Sequence, residues 1–254
     1  MKSKDLLHLD AISIRRKLGE DNFSPVDVFA LISSLDNFTL IFYPFSDRIS
    51  GMSIKNIDNK ENVIAINSRF SYGRQRYTAA HELYHLFVQE NFNNTVCIET
   101  SEGKSDVEKE ADAFASYFLM TKEALRFFVE EKINSDRKLI TLYDILRIEQ
   151  YFQMSHQATL IRVKEEGYIT SSLYEEWRNI NVRNLAALNG FDVSLYMPKS
   201  DDSKYSTIGN YIKLAEKLKD NEVISEGKYD QYLLDAFRPD IVYNLGINKD
   251  EIHD

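Results

Sequence analysis

Apolar residues recur at helical spacing near both ends of the chain and at strand-like density between residues 38 and 67. Leu6, Leu7, Ile12, Ile14 and Leu18, set among basic residues, predict a helix over 5–18 with one buried face. Ser24-Pro25 reads as an N-cap and first helical position, opening a helix with Val26, Val28, Phe29, Leu31 and Ile32. The β-branched and aromatic runs 38–42, 51–55 and 63–67, with a polar turn at 56–62, predict a small antiparallel sheet. Helical spacing returns over 74–90, where Ala79, Ala80, Leu83, Leu86 and Phe87 would bury the back of a helix against that sheet. A polar loop follows over 91–104. From Ser105, apolar positions 107, 111, 114, 115 and 118 predict a second strongly patterned helix.

Further on, Leu125, Phe127 and Phe128 mark a helix, Leu142 to Phe152 another, and Ser155 to about Gly167 a third. The last two, with a tight turn between them, have the outline of a helix-turn-helix. Arg162 and Lys164 are offset there by Glu165 and Glu166, a poor balance for phosphate, so the region is assigned to structure and nucleic-acid binding is not expected. His156, at the start of the second of these helices, reads as a surface or capping residue and not as a ligand. Helical pattern resumes over 171–188. Asn189-Gly190 and the stretch 198–204 then break it as a linker, and 205–245 read as two helices joined near Gly227.

The chain has 254 residues, 43% of them hydrophobic, enough for one good core or a core with a smaller appended unit. A net charge of −9 argues against a non-specific grip on nucleic acid. With one cysteine, Cys97, no internal disulfide can form, and a cytoplasmic location is expected. The N-terminal residues develop no signal-peptide core, and no apolar run is long enough to span a membrane. Oligomeric state is not legible.

The chemistry concentrates in His81-Glu82-Leu83-Tyr84-His85, an H-E-x-x-H pattern of zinc hydrolases. Four-residue spacing on a helix puts both imidazoles on one face, where they can share one Zn²⁺. Glu82 is then placed as general base for an attacking water. A third ligand has to come from the next helix, where Glu108 and Asp112 lie about 40° apart along one edge of the apolar stripe; Glu110 lies off the other edge. Glu108 is the expected ligand, and Asp112 the expected partner of a ligand histidine's free ring N–H. The competing reading makes Ser105-x-x-Glu108 a capping box. Tyr77 and Tyr84 are candidate oxyanion donors, or packing residues. Cys97, between Val96 and Ile98, is a small buried residue of a short strand or a thiolate able to cap the metal.

The run from Arg76 to Leu86, then Glu108-Lys109-Glu110-Ala111-Asp112-Ala113-Phe114-Ala115 and Phe118-Leu119-Met120, resembles the ImmA/IrrE family of metallo-endopeptidases. The similarity extends through Tyr151 to Ser155, Ala158, Arg162 and Gly167 to Ile169. Two positions depart from the family pattern: Tyr84, where glycine is frequent, and Thr121, where proline is common. The resemblance implies a gluzincin-like zinc protease that relieves repression by cutting a helix-turn-helix transcriptional repressor. The expected fold is α+β: a zincin-like domain over 1–135, a helix-turn-helix-like region over 136–188 packed on it, and a small helical unit over 205–254. Two other classes compete with a protease. One is a non-proteolytic regulatory or toxin-antitoxin module that binds a repressor through a metal-stabilised domain; the other is a DNA-binding regulator using residues 140–166.

Overall fold

Three strands form where the apolar runs place them: β1 (Phe38–Tyr43), β2 (Ile49–Lys55) and β3 (Asn62–Asn67). In this computed structural model, residues 1–56, 61–90, 92, 94–98, 104–133, 140–201 and 204–245 are described, 94–98 by their backbone. The strands do not lie side by side in chain order. The sheet runs β4-β2-β3-β1-β5, with β4 (Asn94–Ile98) and β5 (Ser206–Gly209) at its edges. β1 and β3 are parallel and the other three ladders antiparallel, so the sheet is mixed where an antiparallel one was expected. The reason is that β2 and β3 pair as a hairpin that folds back with β3 against β1. β2 is thus itself the crossover that a parallel pair requires. β3, with Val63 to Ile66, becomes the central strand, with a partner on both edges.

Asn67 closes this crossover. Fully buried, it donates from Nδ2 to the carbonyls of Ile49 (2.7 Å) and Ser46 (3.0 Å). Asn67→Ala would leave those carbonyls short of a donor in a dry site, and should lower stability by about 2–4 kcal/mol in chemical denaturation.

One face of the sheet buries Phe38, Leu40, Phe42, Ile64 and Ile66. Against it lies α3 (Tyr72–Phe87), which packs on its other side against α4 (Asp106–Leu119); α1 (Lys4–Lys17) covers α4. Arg15, fully buried, ties this layer down by donating to the carbonyls of Asp21, Phe118 and Ser24. α2 (Val28–Ser34) starts later than Ser24-Pro25 suggested. Its N-cap is Asp27, whose carboxylate accepts from the N–H groups of Phe29 and Ala30. Thr121, at the second departure from the family pattern, caps α5 (Lys122–Phe127) by accepting from Ala124 N–H, and its hydroxyl donates to Asn22 O.

A π-helical turn (Phe128–Ile133) ends that segment, and α6 (Leu142–Phe152) and α7 (His156–Glu165) follow. His156 is 8% exposed, which corrects the surface reading. Its Nδ1 meets the Glu149 carboxylate at 2.5 Å and its Nε2 meets the Trp177 carbonyl at 3.0 Å, so acceptors from two other elements draw it inward. α8 (Ser171–Trp177) and α9 (Val182–Leu188) share the helical stretch expected over 171–188. Beyond the break, α10 (Asn210–Asp220) and α11 (Glu226–Asp235) are the two expected helices, with Gly227 inside α11 instead of between them. The strand β5, which sequence pattern missed, pairs with β1 and ties this part to the sheet. No helix among the described residues is long and apolar enough to cross a membrane.

Candidate metal centre

α3 can lie close to its neighbours because of what it lacks. At Gly73, in its first turn, an added Cβ would stand 2.9 Å from Ser155 N and 3.1 Å from Met154 C, both backbone atoms of the α6–α7 turn. Gly73→Ala should therefore lower the thermal stability of the protein by about 1–3 kcal/mol, since a backbone obstacle cannot swing aside. Gln75 secures the entry to the helix by donating from Nε2 to the carbonyls of Ser68 and Phe70.

Further along α3, His81 and His85 share one face as their spacing predicts. Their Nε2 atoms face each other at 3.2 Å, and the Glu108 carboxylate of α4 lies 3.2 Å from His81 Nε2 and 3.5 Å from His85 Nε2. Among the described residues, this is the group of three whose donor atoms could hold one metal ion. Four donors arranged tetrahedrally at about 2.0–2.1 Å from a zinc ion are about 3.3–3.4 Å apart. The three observed separations bracket that edge, so the residues present fit a tetrahedral ion with its fourth corner open. Two imidazole nitrogens held this close with their lone pairs converging need a cation, or a shared proton, between them.

The far side of each ring is anchored. His81 Nδ1 meets Asp112 Oδ1 at 3.0 Å, and His85 Nδ1 meets Gln89 Oε1 at 2.6 Å. Two acceptors at Nδ1 hold the N–H there and turn Nε2 towards the centre. Lys104 donates to the second Asp112 oxygen at 2.6 Å, and Phe92 stacks on the His85 ring. Burial alone would lower the His81 pKa, but hydrogen bonds to Asp112 and Glu108 outweigh it and raise it to about 9. Burial, then the neighbouring His81, push His85 the other way. The hydrogen bond from His81 holds Glu108 below the usual carboxylate range. Asp112 also lies below its ordinary value: burial would raise it, and His81 and Lys104 overcome that. Metal-free, the set thus concentrates one proton on His81, and neutral His85 completes it.

The capping reading of Glu108 is half realised. Ser105 Oγ accepts the Glu108 N–H at 3.2 Å while the Glu108 carboxylate reaches the histidines. Glu110, expected off the stripe, is buried and accepts from the Tyr84 hydroxyl. Tyr84 therefore points between α3 and α4 and does not crowd the donor side. Burial and that carboxylate raise its phenol well above the ordinary range. Tyr77 donates to the Asp112 carbonyl at 2.7 Å, so both tyrosine hydroxyls are already engaged. Cys97 belongs to β4, and its side chain lies outside the described residues.

Glu82 is fully buried under the sheet, with Oε2 accepting from the Ser53 hydroxyl at 2.6 Å and Oε1 without a hydrogen-bond partner among the described residues. Sequence reading missed Ser53 and Gln89. Gln89 carries a local signal, the i+4 spacing from His85 on the same helical face. Ser53 carries none, being 29 positions from Glu82 on a strand.

No curated protein matches the chain. The family model Peptidase_M78, described as the IrrE N-terminal-like domain, matches residues 33–164, just over half of the chain and the span that holds α3, α4 and the three converging donors. By that match the chain belongs to the Peptidase_M78 family of the IrrE N-terminal-like domain, and its function is of the metallopeptidase type.

Proposed function

We propose that the protein is a zinc-dependent endopeptidase that cuts a protein substrate, a helix-turn-helix transcriptional repressor, and so relieves repression. The observation that carries the reading is the convergence of His81 Nε2 and His85 Nε2, from the helix that also bears Glu82, with the Glu108 carboxylate of α4, all within 4.8 Å of one another. His81, His85 and Glu108 would hold the ion, with Asp112 orienting His81 and Gln89 orienting His85. Bound zinc would supply Lewis-acid polarisation of the scissile carbonyl and would make water acidic enough to react near neutral pH.

Glu82 does the proton work. Its carboxylate takes a proton from the attacking water as the new C–O bond forms, then delivers it to the amine nitrogen as the C–N bond breaks. Burial of Glu82 keeps bulk water from competing for that proton. The repressor substrate is supported by the likeness to the ImmA/IrrE enzymes, and the single cysteine fits a reducing cytoplasm.

The test is to incubate the zinc-loaded protein with a repressor encoded beside it and map the products by mass. The reading expects discrete fragments from the wild type and none after zinc removal. Undiminished relief of repression in cells by the Glu82→Gln variant would replace cleavage with binding as the mode of action.

A further inference from the structure

We propose that Ser53 is the positioning residue for Glu82: its hydroxyl fixes one carboxylate oxygen, so that the other is aimed to receive the proton of the attacking water. The inference rests on the peptidase reading and extends it to a residue outside the zinc motif.

The first observation is a break in the packing pattern of the sheet. Inward positions on β1 and β3 carry Phe38, Leu40, Phe42, Ile64 and Ile66. On β2 the inward positions, paired with Ile66 and Ile64, are Gly51 and Ser53, while Met52 and Ile54 face away. A strand buried under a helix ordinarily places large apolar groups there. Here the volume they would fill is taken by Glu82. An added Cβ at Gly51 would stand 2.6 Å from Thr78 Cγ2 and 3.2 Å from Glu82 Oε1. Gly51 therefore clears room for one oxygen, and Ser53, fully buried, holds the other at 2.6 Å.

The second observation is the unequal treatment of the two oxygens. Oε2 is hydrogen-bonded, whereas Oε1 is buried and unpartnered among the described residues. A buried acceptor left unpaired costs about 1–3 kcal/mol, and of the buried side-chain atoms without a partner among the described residues Glu82 Oε1 is the one carboxylate oxygen. An acceptor that meets its donor only during the reaction accounts for it. With Oε2 pinned, rotation of the carboxylate about its terminal bond is stopped, and the direction of Oε1 is set before substrate arrives.

A purely structural hydroxyl would give a different result on removal, because stability, zinc content and turnover would fall together. The experiment compares Ser53→Ala, Ser53→Thr and Ser116→Ala; Ser116 is a buried serine of α4 whose hydroxyl has no partner among the described residues. Zinc stoichiometry and affinity are measured, then kcat and KM on the repressor cut in the assay above. The expected result is a fall in kcat of about 10–100-fold for Ser53→Ala, with KM and zinc affinity within about twofold. Ser53→Thr should restore most of the rate, and Ser116→Ala should leave it unchanged.

A readout without metal or substrate comes from chemical denaturation of the metal-free protein. Ser53→Ala should lower the midpoint when Glu82 is present and leave it unmoved in a Glu82→Ala background. Unchanged kcat, a loss of kcat matched by loss of zinc, or equal effects in the two backgrounds would each overturn the proposal; where no cleavage is seen, the denaturation pair decides. If the zinc-loaded wild type yields no fragments, the peptidase reading itself fails; if Glu82→Gln cuts as fast as wild type, that reading stands while Glu82 leaves the proton path and the positioning role falls with it. If Glu82→Gln is inert and Ser53→Ala is as fast as wild type, only the positioning role is lost.

Discussion

Glu82→Gln is expected to lower kcat/KM for repressor cleavage by about 10²–10⁴-fold, equivalent to about 3–5 kcal/mol of lost transition-state stabilisation. The amide keeps the shape of the carboxylate and can still accept the Ser53 hydroxyl, so fold and zinc content should not change. What it lacks is basicity. The loss should therefore sit in kcat with KM nearly unaffected, the mark of an interaction made only in the transition state. Single-turnover cleavage by fully loaded wild type and variant, at equal zinc content by elemental analysis, measures it. A variant that keeps its rate would remove Glu82 from the proton path.

The second large effect concerns the metal. Glu108→Ala should abolish stoichiometric zinc binding, because it leaves two imidazoles and no carboxylate for a centre that needs three protein donors. Asp112→Ala should be milder, weakening affinity by about 10–100-fold, since it removes the partner that orients His81 but no donor to the ion. Competition with a chromophoric chelator separates the two. The order Glu108 above Asp112 is the prediction, and the reverse order would mean that the roles assigned on α4 are exchanged. Chelation of the wild type should reproduce the Glu108→Ala phenotype, and added zinc should rescue only the wild type.

The parts of this molecule legible in its sequence are those set by local periodicity. His81 and His85 share a face because four residues make one helical turn, and Glu108 and Asp112 share an edge for the same reason. β1, β2 and β3 lie close to the apolar runs that announce them. Partners brought from a distance were not legible. The parallel pairing of β1 with β3 depends on where a hairpin folds back, which no window of sequence encodes. β5 is four residues long with no alternation, and is a strand because the edge of β1 stands open to it. The burial of His156 follows from acceptors supplied by Glu149 and Trp177, on other elements. Ser53 shows the limit most plainly: as a sequence feature it is a serine in a strand, and only the close approach of α3 makes it a partner of Glu82.

The proposed function requires one divalent ion between α3 and α4 with a corner left for reaction. X-ray diffraction from zinc-loaded crystals, collected on both sides of the zinc absorption edge, tests it most directly. The expected result is one anomalous peak about 2.0–2.1 Å from His81 Nε2, His85 Nε2 and a Glu108 oxygen, with no protein donor at the fourth position. A peak elsewhere, or one that leaves Glu108 uncoordinated, would contradict it.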